Sequence, residues 1–427
     1  MNKINITGVD EEIFHEKLEN NLNVYIYKKK DYLKKGAFFV VNYGSSTNEF
    51  VPIDENKMRS FPKGIAHFLE HKLFESNDNE NTFLKFSKYG ANVNAYTNHF
   101  ITNYYFSCVS NFDECLNLLL DFVSSPHFTD SNVEKEKGII KQEINMTNDD
   151  IDRFIFEELY NVSLVRNPNK YRTIGDKKNV SMITKEDLYK CYSTFYNPFN
   201  MVLVIYGDVN EKEVIKLVKE NQKGKKFDNI NNVEIKQYDE DEKVSSKYTV
   251  FKRNITVPKI GVCYKIKIPK YEGMDLLKES LFMSMFLEMK FSGSSSFEED
   301  LLKKEIINDE LEWTYTIFDD VILIFFIVST NKKDEFLKIL DFKIKDKNFD
   351  KKIFNLNKKA YLASIVKTYE NPSEVATIIF NQYFKYNGVI DNIYDIYKDY
   401  SYCEFLEKTG IINLDNKAVV EIKNMEE

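Results

Sequence analysis

The chain has 427 residues, 43% of them hydrophobic and 30% charged, with a net charge of −8. That length exceeds one ordinary core, so two or more domains are expected, and the mix of apolar and charged residues excludes a disordered chain. The longest basic run noted, Lys28-Lys29-Lys30, reads as a solvated turn, so a nucleic-acid surface is not expected.

The first residues alternate polar and apolar and hold no run long enough for a signal peptide. No later segment reaches the length of a membrane span. Residues 22–30 alternate with period two, as a half-buried strand does, and a second apolar stretch runs from Gly36 to Gly44. Pro62 precedes an apolar-periodic helix, Ile65 to Phe74. Asn92 to Ser110, rich in Tyr, Val, Thr and Phe, predicts one or two strands. Cys115 to Val123 and Asn132 to Thr147 predict helices, and Ser181 with Glu186 and Asp187 predicts the start of another. Met201 to Gly207 and Val321 to Val328 read as buried strands. Residues 238–247, Tyr-Asp-Glu-Asp-Glu-Lys-Val-Ser-Ser-Lys, offer nothing to a core and read as a linker. The five cysteines (Cys108, Cys115, Cys191, Cys263, Cys403) form no Cys-x-x-Cys pair, and reduced thiols in a cytoplasm are expected.

The text beyond residue 247 repeats the text before 238. His67-Phe-Leu-Glu-His71-Lys-Leu-Phe has its counterpart in Met285-Phe-Leu-Glu-Met289-Lys-Phe, an offset of 218 (285 − 67). Phe106-Ser-Cys-Val-Ser110 matches Phe326-Ile-Val-Ser329-Thr at 220 (326 − 106), and each is followed by a helix bearing an Asp-Glu pair, Asp113-Glu114 and Asp334-Glu335. Chance likeness in Lys/Phe/Leu-rich text is the bland alternative, but ordered landmarks at a nearly fixed offset favour duplication. The expected fold is α+β: two tandem homologous units, each a mainly antiparallel sheet packed with helices. Residues 1–237 form the first, 238–247 the linker and 248–427 a degenerate second.

His67 and His71 stand one helical turn apart, so both imidazoles leave the same face. Glu70 lies beside that face. Most histidines on a helix are surface or satisfied core groups, yet these two sit among Ile65, Ala66, Phe68, Leu69, Leu73 and Phe74, and buried histidines beside a carboxylate need a partner. Two histidines do not complete a catalytic zinc site; a third His, Asp or Glu must come from a second element, leaving one position open.

His-x-x-Glu-His is the inverted zincin motif, and Gly64-Ile-Ala-His-Phe-Leu-Glu-His-Lys-Leu-Phe-Glu75 resembles the insulinase/pitrilysin metallopeptidases, which include mitochondrial processing peptidase. Gly90-Ala91-Asn-Val-Asn94-Ala95-Tyr-Thr97, Glu136-Lys-Gly-Ile-Ile-Lys-Gln-Glu143 and Tyr196-Asn197-Pro198 resemble further family segments in family order. The resemblance implies one zinc per chain held by His67, His71 and Glu143, with Glu70 as the catalytic base and Glu136 supporting a ligand from behind. Asn94, Ala95 and Thr97 are implied on a strand that pairs with an extended peptide substrate. A solvated helix charge is the plain reading of Glu136, and a turn residue that of Asn94. The unit resembles half of a four-domain clamshell.

The second half departs from the family. Met285 and Met289 replace the histidines, and about Ser364 stands opposite Glu143. Self-sufficient members also carry an Arg seven residues before a Tyr in this half; here Tyr315 is preceded at that distance by Asn308. This implies a heterodimer with a related subunit lacking the zinc motif, in preference to a homodimer. Two rivals stand beside the peptidase: a non-catalytic zinc-binding assembly subunit, and a structural zinc or iron site closed by His99.

Overall fold

The computed structural model describes residues 1–75, 81–227, 232–409 and 413–425. In chain order the strands are β1 (Asn2–Ile6), β2 (Glu11–Lys17), β3 (Asn23–Lys28), β4 (Lys35–Val41), β5 (Glu49–Phe50), β6 (Arg59–Ser60), β7 (Asn92–Thr97), β8 (Thr102–Cys108), β9 (Met201–Gly207), β10 (Tyr248–Arg253), β11 (Lys259–Lys267), β12 (Glu312–Phe318), β13 (Val321–Ser329) and β14 (Lys417–Asn424). The α-helices are α1 (Ile65–Leu73), α2 (Thr82–Lys88), α3 (Phe112–Val123), α4 (Asp130–Asp149), α5 (Ile151–Ser163), α6 (Lys177–Met182), α7 (Lys185–Phe195), α8 (Glu211–Lys223), α9 (Gly273–Phe291), α10 (Phe297–Lys303), α11 (Lys333–Lys345), α12 (Lys351–Thr368), α13 (Pro372–Tyr386), α14 (Ile393–Asp399) and α15 (Tyr402–Thr409).

The chain forms two compact units, one of residues 1–146, 171–237 and 366–393, the other of 147–170, 238–365 and 394–427. In the first, the main sheet has the order β1-β2-β3-β9-β4-β8-β7. In the second the order is β10-β14-β11-β13-β12. The last five strands of the first sheet and the five of the second have the same topology. Each has one parallel pair, β3 with β9 and β10 with β14, and is otherwise antiparallel. The duplication seen in the text is therefore a duplication of fold.

Central strands are apolar without alternation because both their faces are covered. β9, Met-Val-Leu-Val-Ile-Tyr-Gly, is buried throughout, and so is β13 up to Val328. In the first unit one face of the sheet joins the core of α1 and α3, including Phe68, Leu69, Leu116 and Leu119. The other receives α13, whose Phe380 ring meets Phe38 of β4 at 5.5 Å. In the second unit α9 and α11 cover one face and α5 covers the other, with Phe154, Ile155, Leu159 and Val162 packed on Cys263, Leu323 and Val420. Each such side chain contributes roughly 1.5–3 kcal/mol.

The sequence halves therefore do not coincide with the compact units. The helix after α4 belongs to the second unit, and the helix after α12 belongs to the first. Apolar periodicity announces that a helix needs a partner sheet but does not say which one.

Two local expectations are corrected. Residues 238–247 are no solvated linker: Glu240 is buried, and its carboxylate accepts the backbone N–H groups of Val165, Arg166 and Asn167 and an ion pair from Lys265, whose side chain is equally buried. The helix expected from Ser181 starts at Lys185, where Thr184 and Asp187 form a capping box, and Ser181 lies inside the short α6.

Candidate active site

α1 is placed by close backbone contact at its N-terminus. Gly64 has φ +86°, and a Cβ there would lie 2.4 Å from the carbonyl oxygen of Ile174. Gly175, with φ +76°, meets Lys63 in the same way. No other residue tolerates that conformation and that approach together. At its other end Lys72, fully buried, donates to the Asn132 carbonyl of α4 at 3.3 Å and pairs with Glu75 at 2.5 Å. One face of α1 buries Ile65, Phe68 and Leu69, and the half-buried His67 and His71 emerge opposite α4.

The rings of His67 and His71 have centroids 4.6 Å apart. His67 Nε2 lies 3.7 Å from one Glu143 oxygen, and His71 Nε2 lies 3.6 Å from the other. One donor atom from each of the three lies within 4.8 Å of the others, and among the described residues this is the group able to hold a metal ion. Tetrahedral zinc with bonds near 2.1 Å sets its donors about 3.4 Å apart. Two imidazole nitrogens and a carboxylate at these separations fit zinc, with a fourth position left for water or substrate.

His71 turns its Nδ1 to Glu136, 3.0 Å away. Glu136 is 5% exposed, so the solvated-charge reading of this residue does not hold. Burial pushes the His71 imidazole down, but the Glu136 bond and the charges of Glu70, Glu136 and Glu143 outweigh it, and the net direction is up. Glu70 is buried beside this cluster, and desolvation raises its carboxyl above the usual range. The Thr97 hydroxyl, 2.6 Å away, the Thr97 backbone N–H and His71 oppose that rise.

β7 is the edge strand of its sheet. Asn94 is an exposed strand residue rather than a turn residue, and its Oδ1 accepts the N–H of Ala95 at 2.9 Å. That N–H therefore does not serve β8. Thr97, expected to face substrate, gives its hydroxyl to Glu70. Reading the sequence alone missed Thr102, whose hydroxyl lies 3.2 Å from that of Thr97; the only signal was its place across the hairpin.

His99 lies in the β7–β8 turn, not in a strand, and its Nδ1 meets Ser45 Oγ at 3.1 Å. Burial lowers its pKa to about 4. It is not part of the three-residue group, which removes the expected closing ligand of a structural site. In the second unit Met285 and Met289 are buried core residues. Tyr315 donates to the Ser280 carbonyl of α9 at 2.8 Å and meets Ser284 Oγ at 2.6 Å.

Residues 59–177 match the family described as Insulinase (Peptidase family M16), and residues 182–360 match the Peptidase M16 inactive domain. The uncharacterized zinc protease YmfH of Bacillus subtilis is 42% identical over 308 residues, 72% of each chain. The chain belongs to the insulinase (peptidase M16) family. The mitochondrial-processing peptidase subunit beta of Caenorhabditis elegans is 29% identical over 158 residues, 36% of this chain and 34% of that one. An M16-like peptidase of Alicyclobacillus acidocaldarius shares the fold with a TM-score of 0.91 at 27% identity, over 97% of this chain and 98% of that chain. The M16 match thus spans both repeats, zinc proteases are named among the relatives, and only the first repeat of this chain carries the His-His-Glu group. Among the described residues no helix is long and apolar enough to cross a membrane.

Proposed function

We propose that this chain is a zinc-dependent endopeptidase acting on extended or unstructured peptides. The observation that carries the reading is the convergence of His67, His71 and Glu143 beside a buried Glu70. A structural or scaffold site has no use for a base at that point.

His67, His71 and Glu143 are the ligands, and Glu136 fixes the His71 tautomer by taking its Nδ1–H, so that Nε2 is the free donor. When bound, zinc supplies Lewis acidity toward water and the scissile carbonyl. Glu70 accepts the proton of the attacking water on the carboxylate oxygen that Thr97 does not hold, and then delivers it to the leaving amine. Partial desolvation suits Glu70 to both steps, because it weakens the carboxylate's hold on its charge. The β7 edge receives the substrate main chain, a substrate carbonyl taking the Ala95 N–H that Asn94 otherwise occupies. Leader-peptide processing and peptide degradation both fit such a site.

The missing Arg before Tyr315 supports action as one half of a heterodimer, and relatives named as a subunit beta accord with that. The five unbridged cysteines favour a reducing compartment, the cytoplasm. A non-catalytic zinc-binding assembly subunit is the alternative. Hydrolysis of an unstructured peptide by wild type, abolished by Glu70→Gln with zinc content unchanged, tests the proposal. Equal activity in Glu70→Gln, or none in any assembly of the wild type, would overturn it.

A further inference from the structure

We propose that Thr97 is a positioning residue for Glu70, holding one oxygen of its carboxylate with the threonine hydroxyl. The inference rests on the reading of Glu70 as the general base and goes beyond it, by assigning what aims that base. It also moves Thr97 out of the substrate-contacting set.

The proton directions can be worked out. Thr102 is fully buried and gives its single hydroxyl proton to the Tyr43 carbonyl at 2.9 Å. It therefore has no proton left to give Thr97, its cross-strand partner, whose hydroxyl lies 3.2 Å away. Thr97 also has one hydroxyl proton. The carboxylate of Glu70 is closer, at 2.6 Å, and an ionised acceptor outcompetes a neutral hydroxyl. The Thr97 proton thus belongs to Glu70, and the same residue's backbone N–H reinforces it. Behind this pair the hydroxyls of Tyr196 and Tyr104 lie 2.8 Å apart, with both rings buried. Burial pushes both phenols up, so they stay neutral and place no charge behind Glu70.

A terminal carboxylate rotor is broad when nothing fixes it. Here one oxygen is tied to a hydroxyl at the end of an edge strand, which limits how the carboxylate can turn. The strand that would receive a peptide thereby also carries the hydroxyl that holds the base, three residues from Asn94 to Thr97.

The test uses Thr97→Val, which keeps the shape and removes the hydroxyl, and Thr97→Ser, which restores it. Turnover on an unstructured peptide is measured in the same assembly as wild type. Valine is expected to lower kcat between tenfold and a hundredfold, on the order of what a misplaced group costs, with KM within about twofold and one zinc retained. Serine is expected to restore most of the loss. Crystal structures of both variants without zinc give a readout independent of activity: the Glu70 carboxylate should leave its wild-type position in the valine variant and keep it in the serine variant. Unchanged kcat, a raised KM at unchanged kcat, or an unmoved Glu70 in the valine crystal would each overturn the proposal. A fully active Glu70→Gln would instead sink the reading of Glu70 as base, while the crystals would still decide what Thr97 holds.

Discussion

The Nδ1 atom of His71 lies 3.0 Å from a buried oxygen of Glu136, on the side of the ring facing away from Glu143. A ligand imidazole so held presents one tautomer and one orientation. Glu136→Gln should therefore lower zinc affinity between about ten- and a hundredfold without unfolding the chain. Competition with a chromophoric chelator measures this, and an unchanged affinity would leave Glu136 a purely structural acid.

Glu143 is the proposed ligand from the second element, two helical turns from Glu136 on α4. Changing it to Gln is expected to reduce zinc stoichiometry well below one per chain and to abolish hydrolysis together with it. Full zinc occupancy in Glu143→Gln would place the third donor elsewhere.

Much of this site was legible in the sequence because helices make it so. His67, Glu70 and His71 lie within a single helical turn, and Glu136 with Glu143 follows the same rule, so spacing alone fixes a face. What joins the two helices, the buried Lys72 on the Asn132 carbonyl, is a long-range contact that no periodicity announces. The same limit hid the role of Thr97: its strand and its edge position were readable, but the partner of its hydroxyl depends on how α1 lies against β7. In the fold, strand identity followed from apolar runs, whereas the placement of α5 and α13 depended on sheets distant in sequence. The segment 238–247 misled because six of its ten residues are charged, and one of them, Glu240, is buried by partners outside the segment.

Glu240 and Lys265 form an ion pair with no exposed side-chain surface. Burial alone would raise the Glu240 carboxyl, but Lys265 and the three backbone N–H groups outweigh it and hold the pKa below the usual value. A lowered folded pKa stabilises above the unfolded value near 4.3 and loses that stabilisation as pH falls through the folded one. Glu240→Ala should cost about 3–5 kcal/mol, because Lys265 is left buried without its counterion. Urea unfolding at pH 7 and below pH 4 checks both parts: the difference between variant and wild type should shrink on acidification, and a constant difference would contradict the electrostatic account.

Tyr315 is bound within its own unit. Its hydroxyl proton goes to the Ser280 carbonyl, and Ser284 donates to its oxygen. Tyr315→Phe is expected to cost roughly 0.5–1.5 kcal/mol of stability and to leave peptide turnover within about twofold. A fall in kcat of a hundredfold at unchanged stability would return this residue to the catalytic machinery.

The partner prediction follows from the same tyrosine. If its hydroxyl is committed to α9, and Asn308 stands where the family's Arg would be, the second repeat lacks both groups that the resemblance assigns to substrate and oxyanion contact. The first repeat, by contrast, has the three proposed donors, the proposed base and its supporting acid together on two helices. A homodimer of this chain would duplicate what is present and supply none of what is missing. An active site lacking one oxyanion donor turns over on the order of a hundred to a thousand times more slowly. A related subunit that has lost the histidines but retains the Arg and Tyr pair would restore that factor without changing any residue here. The purified chain should accordingly bind one zinc, which Glu143→Gln removes, yet cleave an unstructured peptide slowly. Adding the related subunit should raise kcat at least a hundredfold and shift the elution volume to that of a heterodimer. Restoration should fail when the partner's Arg is changed to Ala and should survive when the partner's vestigial metal-site positions are altered. Full activity from this chain alone, as monomer or homodimer, would refute the prediction while leaving the zinc ligands and Glu70 as assigned.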